Sequence, residues 1–206
     1  IIRPSDGKTR WIARRASFDF DANGQPIRML GTVHDITERR FAHERMRYLL
    51  ELGDRLHIAE SIEEAAEAAG DSLRKAFSVS RAGYATVDLA GGRVTVEQDS
   101  CNEGIDSVKG WRPISEYPET VAKMREGEPV AITDVRTLKW LQAEVPGYVD
   151  VGAIAQLWIP ISVHGILVGS LFAQHNEPRF WTLEEREFAE SVAYRTYMTI
   201  AKLQAQ

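Results

Sequence analysis

The chain has 206 residues, 44% hydrophobic and 27% charged, which suits one ordinary domain with extra elements attached. Its net charge of -5 gives no basic excess, so nucleic acid is not an expected partner. The single cysteine, Cys101, rules out an internal disulfide and a cysteine-based zinc cluster, and no run nears the roughly 18 apolar residues of a membrane span. With no signal-peptide pattern either, the expectation is a cytoplasmic protein without direct membrane insertion. The start, Ile1-Ile2-Arg3, reads as a cut within a longer protein.

Residues 1–37 read as a β-hairpin. Asp6-Gly7 is a turn signal. Thr9 to Phe20 alternates and carries Trp11, Ile12, Phe18 and Phe20; Asp21-Ala22-Asn23-Gly24 is a second turn; Pro26 to Ile36 is the returning strand. A lone hairpin is marginal in water, so this one must pack on something else. The succession Asp6-Gly7, Arg10-Trp11-Ile12, Asp21-x-x-Gly24-x-Pro26 and Gly31-x-x-x-Asp35-Ile36-Thr37-Glu38-Arg39 resembles the C-terminal end of a PAS domain. In that family the last two strands close a sheet, and the Asp-Ile-Thr triplet launches a helix. The resemblance covers only the tail of such a domain, so it implies no PAS ligand for this chain.

From Asp35 to about Ala59 the sequence reads as one connector helix, with residues 38–58 as its body. Asp35 and Thr37 can cap its first N–H groups. Ala42, Met46, Leu49, Leu52 and Leu56 make an apolar stripe, and the last three fit a coiled-coil seam of about two heptads. Two readings follow: packing on the helix's own domain, or pairing with a second copy. Pairing is preferred, because Arg39, Arg40, Glu44, Arg45 and Arg47 leave the other faces solvated.

Residues 59–206 read as an α+β domain, an antiparallel sheet flanked by helices. Ser61-Ile62-Glu63-Glu64 is a capping box that opens an alanine-rich helix. Strands are expected at Arg81 to Leu89, Arg93 to Gln98, Trp111 to Ser115 and Pro129 to Val135, with short helices at Pro118 to Glu126 and Leu138 to Glu144. Ala153 to Val163 and Ile166 to Gln174, joined at His164-Gly165, are the most apolar strands and are expected at the sheet's centre. Thr182-Leu183-Glu184-Glu185 is a second capping box, opening a final helix to about Leu203 whose apolar residues cover more than one face.

The motif Leu157-x-Ile159-Pro160-Ile161-x-x-x-Gly165-x-Leu167-x-Gly169-x-Leu171, followed by His175-x-x-Pro178-Arg179-x-Trp181-Thr182, resembles a GAF domain, of the kind found beside PAS domains in bacterial sensor histidine kinases. The order of elements predicts helices on one face of the sheet, and the resemblance implies a sensory role in a two-component system. It does not fix a ligand. In phytochrome-type members a histidine lies beside the bilin where His175 falls. The other bilin marks are missing, so bilin is not expected, nor haem or flavin, and the cofactor stays unknown.

Candidate ligand-binding residues are His175, Trp158, Gln156, Tyr84, Trp111, Tyr117 and Phe172, which could line a concave pocket; strand aromatics are also ordinary core material. For His175 the alternatives are capping a strand end or bonding the loop Asn176 to Arg179. One branch of the GAF fold reduces methionine sulfoxide through cysteine thiolates, but Cys101 has no second thiol to resolve it. His43 precedes Glu44, as phosphoacceptor histidines do, yet no ATP-binding segment follows, and it reads as a solvated helix residue. No catalytic or metal site is assigned. The expected role is a non-catalytic sensory and signal-transmitting one, within a parent protein that is a histidine kinase. The domain binds a small ligand or relays a signal through paired helices; the alternative is a ligand-free dimerisation and relay module. A homodimer is expected through Leu49, Leu52 and Leu56 of the connector and Val192, Tyr197 and Ile200 of the final helix.

Overall fold

The structure is a computed structural model that describes residues 10–205. The turn expected at Asp6-Gly7 lies outside the described residues. The chain divides into two compact units, one up to Arg47 and the other from Tyr48 onward.

In the first unit β1 (Ile12–Phe20) and β2 (Pro26–Asp35) form an antiparallel hairpin in which Ile12 faces Asp35 and Phe18 faces Met29. The turn closes because the Asp21 carboxylate accepts from the N–H groups of Asn23 and Gln25, both at 2.9 Å. Almost every side chain of the two strands is exposed, including Phe18, Phe20, Met29, Leu30 and Val33. Helix α1 (Thr37–Ile58) follows at once. Its start is tied to the hairpin: Trp11 N–H donates to Thr37 Oγ1 (2.8 Å), Thr37 N–H to Asp35 Oδ1 (2.9 Å), and the Arg40 guanidinium sits 3.7 Å over the Trp11 ring. Thr37 is buried by this clasp.

The second unit is built on a six-stranded antiparallel sheet of order β5-β4-β3-β8-β7-β6. Its strands are β3 (Arg81–Asp88), β4 (Arg93–Cys101), β5 (Gly110–Pro113), β6 (Val130–Ile132), β7 (Ala155–Val163) and β8 (Ile166–His175). The helices are α2 (Ile62–Phe77), α3 (Pro118–Met124), α4 (Val145–Asp150) and α5 (Leu183–Gln204). Both long helices begin as read: Ser61 Oγ accepts from Glu64 N–H, and Thr182 and Glu185 form a reciprocal capping box. The β7–β8 turn puts His164 and Gly165 both at positive φ, 51° and 78°, the geometry that suits the twist of a two-residue hairpin.

Three expectations change. The central pair is β3–β8, with β7 one place out. The segment before α4 is two 3-10 turns, at Val135–Thr137 and Lys139–Leu141, rather than a helix over Leu138 to Glu144. Helices do not cover one face only. α2, α5 and the C-terminal half of α1 cover one face, while α3, α4 and their loops cover the other, so the sheet carries a separate core on each side. Strand alternation divides the two. On β8, Leu171 and Ala173 point to the long helices and Phe172 to the far side; on β7, Leu157 and Ile159 point to the helices and Trp158 away.

The seam residues of α1 and α5 are a further correction. Leu52 (1% exposed), Leu56, Val192 (0%) and Ile200 (1%) all lie inside the helix-side core of the single chain, and Leu49 and Tyr197 are partly buried against it. An apolar stripe at helical spacing serves a domain's own core as readily as a partner, and here α2 and the sheet fill it. Among the described residues no helix is long and apolar enough to cross a membrane.

Candidate functional site

On the sheet face away from the long helices lies a cavity of about 70 Å³. Val94 and Val96 of β4, Trp158 of β7 and Gln174 of β8 form its floor; Val121 and Met124 of α3 and Tyr148 of α4 form its roof. Val108 and Val151 close the sides. The polar atoms come from Arg112, Tyr117, Thr120, Tyr148 and Gln174. This is an apolar chamber with a few hydrogen-bonding groups, the usual make-up of a small-molecule site.

Local chemistry explains why the walls stay put. Helix α3 starts at Tyr117-Pro118 and has no side-chain cap of its own. Its free N–H groups are satisfied instead by buried Glu144, which accepts from Glu119 N–H (2.5 Å), Thr120 N–H (3.1 Å) and Thr120 Oγ1 (2.6 Å). Thr120 also bonds Tyr148 Oη at 2.7 Å, and the rings of Tyr117 and Tyr148 lie 5.2 Å apart. Burial pushes the phenol of Tyr148 well above its ordinary pKa and that of Tyr117 upward, so both face the cavity as neutral hydroxyls.

The side walls hang on one buried arginine. Arg81, 2% exposed, donates to Gln174 Oε1 (2.7 Å), to the Asp106 carbonyl (3.1 and 2.7 Å) and to the Val151 carbonyl (3.0 Å). It pairs with buried Asp99 at 3.7 Å. Asp99 in turn accepts from Ser107 Oγ (2.5 Å) and Val108 N–H (2.7 Å). The Arg81–Asp99 pair therefore ties the sheet to the loop carrying Val108 and to the end of α4 carrying Val151.

Of the sequence candidates, Trp158 and Tyr117 line the cavity. Phe172 lies beneath it, 5.2 Å from the Trp158 ring, in space that only a glycine at position 83 leaves open: a Cβ there would meet Phe172 at 2.8 Å. Gln156 is a supporting group, accepting from Trp158 Nε1 at 2.6 Å while donating to the Ala153 carbonyl at 3.1 Å. The other three are placed elsewhere. Tyr84 points into the helix-side core, because it faces Leu171 across the ladder. Trp111 is 64% exposed and turns outward from edge strand β5. His175 ends β8 on the helix-side parity, its Nδ1 3.1 Å from Ser80 Oγ, which also bonds Asn176. It thus fastens the strand end, and burial together with the charge of Arg179 lowers its pKa.

Arg81, Asp99, Glu144 and Gln174 escaped the sequence reading. A strand's first arginine looks solvated, and Glu144 was read as the end of a short helix, where a glutamate looks solvated too. The one available signal was the uncapped start of α3, which demands an acceptor from outside the helix.

Cys101 ends β4 away from the cavity, its Sγ 3.7 Å from Asp99 Oδ2 and 3.8 Å from the Asp106 carbonyl. Burial and the Asp99 charge raise its pKa despite Arg81 nearby, which keeps it a thiol. His43 is exposed on α1. Among the described residues no group of three or more His, Cys, Asp or Glu side chains could hold a metal ion.

These features define an α+β scaffold with a chamber on one sheet face and long helices on the other. The GAF domain family matches residues 59–200, and the chain belongs to that family. No curated protein sequence matches it. Among solved structures it is similar to the chromophore-binding domain of the bacteriophytochrome RpBphP3 from R. palustris, with a TM-score of 0.69 and 19% identity over 86% of this chain and 66% of that one. The chain thus spans just under two thirds of that domain's length. It is also similar to the GAF domain of a phosphoenolpyruvate-protein phosphotransferase from Coxiella burnetii (TM-score 0.65, 20% identity, 80% of this chain and 96% of that one). A third is the free methionine-R-sulfoxide reductase of Neisseria meningitidis in complex with its substrate (TM-score 0.64, 13% identity, 81% and 93%).

The residues present do not fit a bilin. The cavity is about 70 Å³, against the roughly 300 Å³ or more of drug-sized ligand sites, and the one thiol is not on its wall.

Proposed function

We propose that this chain is a non-catalytic sensory and relay segment of a larger signalling protein, a bacterial sensor histidine kinase, and that its cavity takes a small, largely apolar molecule. The observation carrying this reading is the opposition across one sheet. Trp158 and Gln174 line the cavity and Phe172 packs beneath it on the same side, while Leu157, Leu171 and Ala173, one residue away on the same strands, face α2 and α5. A ligand that spreads the cavity therefore pushes on the layer through which α1 enters and α5 leaves. To move a two-state helix arrangement from mostly off to mostly on takes about 5.5 kcal/mol of differential binding. In the parent protein, the N-terminal hairpin would close a PAS-type sheet. Its exposed Phe18, Met29, Leu30 and Val33 support this, since a free hairpin leaves them in water.

A second reading, a relay with no ligand, draws support from the small cavity volume. Native mass spectrometry of the purified chain separates the two. A retained mass, or stabilisation by a small apolar compound that Trp158→Ala abolishes, supports the sensor. Neither being found overturns it and leaves the relay. The enzymatic alternative rests on fold likeness alone, and turnover of free methionine sulfoxide lost in Cys101→Ala would be needed to raise it. An output domain other than a kinase downstream in the parent protein would overturn the kinase assignment.

A further inference from the structure

The cavity walls hold more hydrogen-bond donors than the fold uses. Gln174 is 4% exposed and lies on the cavity side of β8. Arg81 can only donate, so it fixes the Gln174 amide with Oε1 toward its guanidinium, at 2.7 Å. That leaves Nε2, which among the described residues donates to nothing. A buried donor without an acceptor is costly, and native folds rarely leave one. Arg112, partly exposed on β5, gives one N–H to the Val108 carbonyl (2.7 Å) and among the described residues has no acidic partner. The two groups belong to one end of the chamber. Arg112 reaches Val108, Val108 hangs on Asp99, and Asp99 pairs with the Arg81 that holds Gln174.

The other polar groups of the walls are already committed. Thr120 Oγ1 gives its proton to Glu144, so it accepts that of Tyr148 Oη. Trp158 Nε1 donates to Gln156. Among the described residues none of those lining the cavity is acidic. An occupant that complements these walls brings acceptor oxygens and negative charge. Buried Glu144 stands behind Thr120 and Tyr148, at 2.6 and 3.3 Å, and turns an anionic head away from the roof toward Gln174 and Arg112. The remaining surface, Val121, Met124 and Trp158, is apolar. At about 10–15 Å³ for each atom of water size, 70 Å³ holds about five or six non-hydrogen atoms.

We propose that the ligand class of this cavity is a short aliphatic monocarboxylate of about three or four carbons, its carboxylate accepting from Gln174 Nε2 and the Arg112 guanidinium and its tail lying against Met124 and Trp158. The proposal rests on the reading of the cavity as a ligand site and names what that site selects. With so few atoms in contact, dissociation is expected on the order of 100 μM.

Isothermal titration calorimetry of the full chain with sodium butyrate, butan-1-ol and butylammonium chloride, at constant ionic strength, tests this. Butyrate should bind. Butan-1-ol has the same tail without the carboxylate and should bind at least about tenfold more weakly, and butylammonium should not bind at about 10 mM. Arg112→Gln, at a partly exposed position, should weaken butyrate binding by about tenfold while the thermal midpoint of the unliganded chain holds. Gln174→Glu keeps an acceptor for Arg81 but replaces the Nε2 donor with an oxygen, and should weaken butyrate binding at least as much. Butan-1-ol bound as tightly as butyrate, and lost in Trp158→Ala, would keep the cavity as a ligand site and overturn the carboxylate. Butyrate binding unchanged in both Arg112→Gln and Gln174→Glu would overturn it too. Uptake of neither compound at about 10 mM, 100-fold above the expected constant, would overturn the proposal and leave these donors to water, while the ligand-site reading itself is decided by the retained mass.

Discussion

Replacing Arg81 with methionine removes the tie that holds two cavity walls to the sheet. The side chain is 2% exposed and makes four hydrogen bonds, one to Gln174 and three to the carbonyls of Asp106 and Val151, besides its 3.7 Å pairing with Asp99. Breaking one partner of a buried pair costs about 3–5 kcal/mol, because the other charge is left stranded. Here Asp99 keeps its bonds from Ser107 and Val108, so the low end applies, about 3 kcal/mol. For a domain of this size that is about 6–12 °C in thermal midpoint. Urea unfolding gives the free energy, and hydrogen exchange gives its location: residues 102–109 and the end of α4 should lose protection first. Adding Asp99→Asn should recover much of the loss, since it removes the stranded charge and keeps an acceptor. A loss below about 1 kcal/mol, or exchange at 102–109 no faster than in wild type, would refute the tie.

Three other outcomes follow. Glu144→Leu leaves the first N–H groups of α3 without an acceptor and should cost about 2–3 kcal/mol, with exchange rising at residues 118–121; an unchanged α3 would refute its role as a remote cap. The Asp71 carboxyl sits at about 2: burial raises it, but the Ser100 hydrogen bond and the charges of Lys75 and Arg55 outweigh that. Its stabilisation is therefore present above about pH 4 and lost as pH falls from there to about 2; it amounts to about 1 kcal/mol after solvent screening, and Asp71→Asn should flatten that limb of the stability curve. Leu52→Ala should lower stability by about 2–5 kcal/mol in urea unfolding without a specific effect on association, since Leu52 is core; a dimer lost with stability intact would refute its placement.

The elements with strong local grammar were legible from sequence. Ser61 and Thr182 start helices where their capping glutamates say so, and His164-Gly165 turns where two positive φ angles are tolerated. Facing was less so. β3 alternates without a break, Ala82 and Tyr84 toward the long helices and Ala85 and Val87 toward the far side, but alternation alone does not say which set faces which core; the register shift opposite Tyr84 and Ala85 places its extra residue, Glu97, in β4. Arg81 and Glu144 were hidden because burial of a charge depends on partners distant in sequence, such as Gln174 and Thr120.

The clasp of Trp11, Asp35, Thr37 and Arg40 has a mechanical consequence. Backbone and side chain together weld the first turn of α1 to the base of the hairpin, so this junction cannot serve as a swivel. A twist applied to the hairpin is delivered to the helix as torque. Any bending or rotation of α1 against the hairpin must then arise beyond its first turn.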